Sequence, residues 1–435
     1  MKACLICIVL AAGPVSARAE SVPEKSADTG VPLADIKRFS QVFQAVRDNY
    51  VDAMTDRQIM QAGLRGLLLD IDPHSSYLDA EQARHFDDLS DGGYAGIGIE
   101  SDERDPSRIR VVAPFDGTPA QRAGLRAGDY ITAINGRPVD NDDDRASPDR
   151  LRGKPGSRVV LTVERPGIAA PFELSIVRET IALQSVKARW LEPGYAYFRI
   201  SAFQGDTGLE FRRQWQALQE SAGEAATRGV LVDLRSNPGG LINAAVEVAD
   251  EFLSDVPIVS TRGRNALSDT RYFAKPGERF AGVPVVLLID AGSASASEIL
   301  AGAMQDNKRA TIVGSRSFGK GSVQNVFRLD NGDAFKLTTA LYYTPDGRSI
   351  QAEGIVPDKL LRGTSRAKPT EMDLPKHIKA GPKVDSEAEP GVVLTGDAYI
   401  DQALSVLKQV NARTTESRPK AAGFAIDSVT LFLSN

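Results

Sequence analysis

Cysteine and histidine are nearly missing from this chain. Its two cysteines, Cys4 and Cys7, sit at the extreme N terminus, and its histidines are His74, His85 and His377. A body without thiols holds no disulfide framework and no cysteine nucleophile. Three histidines in unpromising contexts leave little for Ser-His-Asp chemistry. No His-Glu-x-x-His pattern offers a metal site. Strong charge is lacking too: a net charge of −5 gives no basic face for nucleic acid.

The apolar run at 5–12 falls far short of the roughly 20 residues that span a bilayer. It follows Lys2 and precedes Gly13-Pro14 and Ala17-Arg18-Ala19. Basic start, apolar middle and small-x-small end make residues 1–19 a secretory signal, with cleavage expected after Ala19 and Ala17 as the rival site. Cys4 has no apolar run ahead of it, so it is not a lipid-attachment cysteine. The mature protein is expected in the periplasm or outside the cell, without a thiol.

What remains is an ordinary globular composition, 42% hydrophobic and 25% charged, in a chain too long for one core. Residues 33–90 carry apolar positions at helical spacing: Ile36, Phe39, Val42, Phe43 and Val46, then Ile59, Ala62, Leu64, Leu67 and Leu68. Asp70-Ile71-Asp72-Pro73-His74-Ser75-Ser76 interrupts them; His74 beside its proline turn reads as structural. From 92 to 167 the texture is short strands and turns, with Asn135-Gly136 as a tight-turn signal. From 180 to 360 strands and helices alternate, as in an α/β core. Residues 362–396, rich in Lys, Pro, Glu and Gly, read as a linker. The segment 397–435 holds a closing helix over 399–410.

Two segments bear chemistry. Gly292-Ser293-Ala294-Ser295-Ala296-Ser297-Glu298 follows a buried strand at 283–290 and opens a helix. Alone it is a capping sequence, with Glu298 completing a capping box. At the edge of an α/β sheet its free N–H groups also make an anion site that suits a developing oxyanion. Gly314-Ser315-Arg316-Ser317-Phe318-Gly319-Lys320 nearly matches a phosphate-binding loop. However, Gly321 stands where the magnesium-binding hydroxyl belongs, and a strand-like alternation follows where a helix should start. A serine turn and a glycine-flanked lysine are the equipment of a hydroxyl nucleophile activated by a neutral amine. Lysine at pH 7 is neutral in roughly one molecule in 2,500, a cost of about 4.6 kcal/mol. Burial is the means of removing most of it.

The string Thr118-Pro119-Ala120-Gln121-Arg122-Ala123-Gly124-Leu125, leading into Gly128-Asp129 and Asn135-Gly136, resembles a PDZ domain. The resemblance implies that Gly96, Ile97, Gly98 and Ile99 point N–H groups at a peptide's terminal carboxylate while the peptide pairs as an added strand. Pro148 falls where the groove-lining helix belongs, over 142–151, and puts its side-chain specificity in question. Arg152, beside Gly153, is expected to report from this domain to the catalytic strand.

The serine and lysine segments, with Val232-Asp233-Leu234-Arg235-Ser236-Asn237-Pro238-Gly239-Gly240, Tyr343-Thr344-Pro345-Asp346-Gly347-Arg348 and Gly354-Ile355-Val356-Pro357-Asp358, resemble the carboxyl-terminal processing peptidases, or tail-specific proteases. The likeness runs from about 35 to 360. It implies a ClpP/crotonase-like α/β protease core, an inserted PDZ domain and a helical N-terminal segment. It makes Ser295 the nucleophile, Lys320 the general base and Gln324 the residue that positions the lysine. The backbone N–H groups of Gly240 and Ala296 become the oxyanion hole, and Ser293 and Ser297 become turn and cap residues. The implied function is serine endopeptidase action on proteins with unstructured C termini, without cofactor or metal. Self-association is implied too, with room for an adaptor protein. Two other classes compete: a catalytically silent PDZ scaffold that binds C-terminal peptides, and an acyl-CoA-type enzyme on a related core.

Overall fold

The computed structural model describes residues 30–102, 105, 107–115, 117–139, 150–222, 226–361, 370–379 and 391–416. The expected signal segment, the stretch around Pro148 and residues 417–435 lie outside them. Among the described residues no helix is long and apolar enough to cross a membrane.

The chain divides into two units, residues 1–63 and 64–435. In the first, α1 (Leu33–Asn49) carries the helical spacing read from the sequence yet buries none of its residues, and Ile36, Phe39 and Val42 are exposed. The next helix, α2 (Asp56–Leu69), approaches α1 where a Cβ on Gly63 would lie 3.3 Å from the Phe39 ring.

The second unit opens with a correction. Where the sequence breaks the helical spacing, Ser76–Leu78 adds a strand, β1, that the sequence did not suggest. Here Ser75 and Tyr77 are buried, and the alternation binds β1 to a distant strand before α3 (Ala80–Asp91) begins behind its Asp79 cap.

A β-domain follows: β2 (Gly93–Gly96), β3 (Ile99–Asp102), β4 (Ile109–Pro114), the short α4 (Pro119–Arg122), β5 (Tyr130–Ile134), β6 (Arg137–Pro138), β7 (Arg158–Glu164), β8 (Phe172–Val177) and β9 (Glu179–Ala182). Strands β3, β4, β5, β7 and β8 pair in that order, with β6 on β5. Their inward positions, among them Ile109, Val111, Ile131, Ile134, Val159, Leu161, Val163 and Ile176, make a separate core. The sheet therefore runs past the expected boundary at 167, because Leu174 and Ile176 alternate inward on β8. Strand β2 pairs antiparallel with β9, so chain entry and exit form one two-stranded ribbon.

The protease-like core contains β10 (Val186–Glu192), β11 (Tyr195–Ile200), α5 (Thr207–Ala222), β12 (Gly229–Asp233), α6 (Ile242–Asp250), β13 (Pro257–Gly263), β14 (Thr270–Phe273), β15 (Val285–Ile289), α7 (Ala296–Asp306), β16 (Thr311–Gly314), β17 (Ser322–Arg328), β18 (Ala334–Tyr343) and β19 (Lys359–Leu360). One sheet runs β10-β11-β12-β15-β16-β19, parallel from β11 onward. Every residue of β12 and β15 is buried, as a parallel strand covered on both faces requires. Val230, Val232, Leu287 and Ile289 meet α5, α6 and α7 on one face, through Phe211, Trp215, Val248 and Leu300. Leu231, Val286 and Leu288 face α8 (Ala398–Glu416), through Ile400, Leu404 and Leu407. A second sheet runs β1-β18-β13-β14, with β17 on β18.

The segment expected as a linker, 362–396, is corrected in its described parts. Glu371 is fully buried, and Ser315 and Val392 exchange hydrogen bonds. Polar composition hid this, because buried hydrogen bonds and the core residue Leu394, without a helical or strand period, hold these residues in place. Leu407 is fully buried under β12, so Leu407→Ala should destabilise the core by about 2–5 kcal/mol. The check is the fall in its urea unfolding midpoint.

Candidate active site

Three loops meet at the C-terminal ends of β12, β15 and β16, where open α/β sheets place ligands. The first follows β12. Asp233, fully buried, accepts from the Tyr197 hydroxyl at 2.9 Å and from the Arg235 guanidinium at 2.6 Å. Arg235 also donates to the carbonyls of Leu394 and Gly396 at 3.0 and 2.9 Å. Burial pushes the Tyr197 phenol up, and the Asp233 charge adds to the rise. Further along, the Asn237 side chain donates to the Ile200 carbonyl and accepts from the Gly239 N–H, which shapes the glycine pair. Its own carbonyl accepts from the Ala294 N–H at 2.9 Å and the Ser297 hydroxyl at 3.0 Å.

The second loop carries the three serines. Ser293 is fully buried and its hydroxyl donates to the Leu234 carbonyl at 2.8 Å. Ser297 is fully buried on Asn237. Ser295 alone is partly exposed, and it holds φ 54° and ψ −114°, a left-handed φ that costs a side-chain-bearing residue on the order of 1–3 kcal/mol. That turn lifts the hydroxyl out of the helix start. The glycine pair lies against it: a Cβ on Gly239 would fall 2.7 Å from Ser295 Cβ, and one on Gly240 2.0 Å from the Phe203 oxygen. Among the described residues, neither the Gly240 nor the Ala296 N–H donates to a protein acceptor, whereas the amides of Ser295, Ser297 and Glu298 all do.

The third loop carries Lys320, and Glu298 ties it to the second. One oxygen of the fully buried carboxylate accepts from the Ser317 hydroxyl at 2.5 Å and the Gly319 N–H at 2.7 Å. The other accepts from the Ser295 N–H at 2.8 Å and the Lys320 N–H at 2.9 Å. Residues 25 positions apart therefore share one oxygen atom. The buried Tyr342 hydroxyl donates to the Lys320 carbonyl and also interacts with the Ser295 side chain. Burial, then the nearby Lys336 charge, pushes the Lys320 amine below the usual lysine range, against Glu371, Glu298 and Asp72.

These features have close counterparts in known proteins. The profile of peptidase family S41 matches residues 194–361, and that of a PDZ domain matches 110–165. A carboxy-terminal-processing protease of Bartonella bacilliformis is 43% identical over 323 residues, covering 74% of each chain. The carboxy-terminal processing protease CtpA of Bacillus subtilis is 31% identical over 82% of this chain and 75% of its own. A carboxyl-terminal-processing protease of Synechocystis is 34% identical over 73% and 74%. The chain belongs to the carboxy-terminal processing proteases. It is a serine endopeptidase of that family with a PDZ domain.

Within this protease, Ser295, Lys320, Gly240 and Ala296 converge. Gln324 does not join them through hydrogen bonds: its amide nitrogen donates to Ser322 at 3.0 Å and Thr338 at 3.3 Å. Among the described residues Lys320 Nζ makes no hydrogen bond to Gln324 or to Ser295. The strand register explains this, since Gln324 lies opposite Thr338 on β18. In the PDZ domain the Ile97 carbonyl accepts from Ala120, the Gly98 carbonyl from Phe115 and Thr118, and the Tyr94 hydroxyl meets the Ile99 N–H. A Cβ on Gly96 would strike the Tyr94 ring. Arg152 pairs with Asp88 of α3 at 2.9 Å and lies over Tyr94, so its contacts run to α3 and not to the catalytic strand. Sequence reasoning passed over Asn237 and Tyr342; the motif flanking Asn237 held the one usable signal. Among the described residues no group of three or more His, Cys, Asp or Glu side chains could hold a metal ion.

Burial raises Glu298 to about 7, although its four donors oppose the rise. Between the ordinary carboxyl value and 7, the folded protein keeps a proton that the unfolded chain has released. Stability contributed by this group therefore falls as pH rises through that window, by on the order of 3 kcal/mol. The measurement is unfolding free energy from pH 4.5 to 7.5, where Glu298→Gln should show a shallower decline than wild type.

Proposed function

We propose that this protein is an exported Ser-Lys endopeptidase that takes up proteins by their unstructured C-terminal tails. The observation that carries the chemistry is the single Glu298 oxygen that accepts from both Ser295 and Lys320. It holds the backbones of the serine turn and the lysine loop on one atom, so the two side chains start from neighbouring points. Ser295 Oγ then attacks the scissile carbonyl while neutral Lys320 takes its proton. The oxyanion forms against the free N–H groups of Gly240 and Ala296, each such donor contributing about 3–4 kcal/mol. The protonated lysine passes its proton to the leaving amine, and water, deprotonated by the same lysine, releases the acyl group from Ser295.

Displacement of the Lys320 proton by burial and by Lys336 supports this role, because it lessens the cost of a neutral amine at pH 7. Gln324 is the proposed positioning residue, with its amide nitrogen held by Ser322 and Thr338. Residues 1–19 are the proposed export signal. The Gly96–Ile99 backbone is the proposed carboxylate site, with the Tyr94 hydroxyl standing where a tail's oxygen would bind. The exposed apolar side of α1 supports a homo-oligomer in which a second copy covers Ile36, Phe39 and Val42.

Ser295→Ala and Lys320→Ala should each lower peptide cleavage at least 1,000-fold, on the order of 4 kcal/mol or more, with unchanged circular dichroism. Full activity in either variant would overturn the dyad. Tail recognition has its own test. Gly96 and Glu179 are cross-strand partners, so residues 97–178 can be excised and the ribbon closed with an Asn-Gly turn. The shortened enzyme should cleave an unfolded protein without preferring a free, apolar C terminus over an amidated one. A preference equal to wild type would remove the PDZ domain from recognition.

A further inference from the structure

The segment 370–379 lies beyond the family-profile match at 194–361, yet it supplies a buried carboxylate beside the lysine loop. Glu371 is fully buried, and both of its oxygens face His74 Nε2, at 2.9 and 2.8 Å. Gln351, also fully buried, donates to the same carboxylate at 2.9 Å. The other end of that amide accepts from the Gly321 N–H at 2.8 Å, directly after Lys320. The Glu371 N–H in turn donates to the Phe318 carbonyl at 3.1 Å. Lys320 is thus held on both sides: Glu298 takes its own amide, and Gln351, oriented by Glu371, takes the next one. His74 belongs to the Asp72-Pro73-His74-Ser75 turn, where Asp72 accepts from the His74 and Ser75 amides and Ser75 Oγ accepts from the Thr338 N–H.

We propose that Glu371 is a positioning residue for the general base, acting through Gln351 on the Gly319-Lys320-Gly321 backbone and through its charge on the Lys320 amine. This rests on the reading of Lys320 as the base. An unpaired polar group in such a network is costly, so burial of Glu371 between His74 and Gln351 favours one loop conformation. The charged and titratable groups facing the lysine are Glu298 from α7, Lys336 and Tyr342 from β18, Asp72 and His74 from the N-terminal turn, and Glu371 itself. Of these, Lys336 drives the proton off, whereas Glu371, Glu298 and Asp72 hold it on.

The experiment is the pH dependence of kcat and KM for an unstructured peptide, measured on the full-length enzyme and its Glu371→Gln, His74→Ala and Lys320→Ala variants. Glu371→Gln keeps the shape and removes the charge, so the acidic limb of kcat should move to lower pH while KM stays constant. A merely structural glutamate would lower stability and leave the limb in place, and an unmoved limb in a folded variant overturns the proposal. Where Glu371→Gln fails to unfold cooperatively, His74→Ala decides. It removes the donor that orients the carboxylate, so kcat should fall about tenfold at unchanged KM; a wild-type kcat overturns the proposal. Full activity in Lys320→Ala overturns the dyad and this inference with it. An inactive Lys320→Ala beside an unmoved limb in Glu371→Gln overturns this inference alone.

Discussion

The architecture of the site depends on one buried carboxylate. Glu298 is fully enclosed and accepts four hydrogen bonds, two from the turn and loop backbones of Ser295 and Lys320 through the same oxygen. Enclosing a carboxylate is expensive unless its lone pairs are met. Here they are met only when the serine turn and the lysine loop are both in place. The two segments belong to different sheets, one at the end of β15 and one leading into β17, so Glu298 ties the two sheets together at the site.

Around that carboxylate, the hydroxyls divide by what surrounds them. Ser293 and Ser297 are enclosed and hydrogen-bonded to backbone carbonyls, while Ser295 is left partly open on a strained left-handed turn. The glycine pair after Asn237 presses against that turn because no side chain intervenes. Two N–H groups remain free on either side of the hydroxyl. Strain, close approach and free donors meet at one point: the turn that exposes the oxygen is also the helix start, where the Ala296 amide has no intrahelical acceptor.

The lysine is governed by opposing forces. Apolar enclosure and Lys336 favour the neutral amine, and three carboxylates favour the charged one. A general base must be neutral and yet still basic, and the two sets of groups act on these opposite requirements. The PDZ domain is joined to the core by the β2–β9 ribbon and by Arg152 on Asp88.

Much of this was legible in the sequence, for a physical reason. Strands β12 and β15 and helix α7 announced themselves because a fully buried parallel strand is a continuous apolar run, and because a helix start needs a capping sequence. The motifs around Ser295 and Lys320 are local strings, so they pointed to a hydroxyl activated by an amine, and the family resemblance added Gly240 and acyl transfer. The sequence could not tell which of three neighbouring serines was open, since enclosure by Asn237 and Leu234 is a property of folded neighbours. Gln324 was assigned by its place in a motif, but its hydrogen bonds follow the register of β18. Residues 370–379 and 391–396 looked like a linker because most of their ties, to His74, Gln351, Ser315 and Arg235, are polar and carry no local period, while Leu394 joins the core. Local pattern therefore determined the elements and the chemistry. Only the tertiary structure decided which hydroxyl, which amide and which carboxylate are brought to the same point, because burial and hydrogen bonding depend on neighbours that the chain brings from far away.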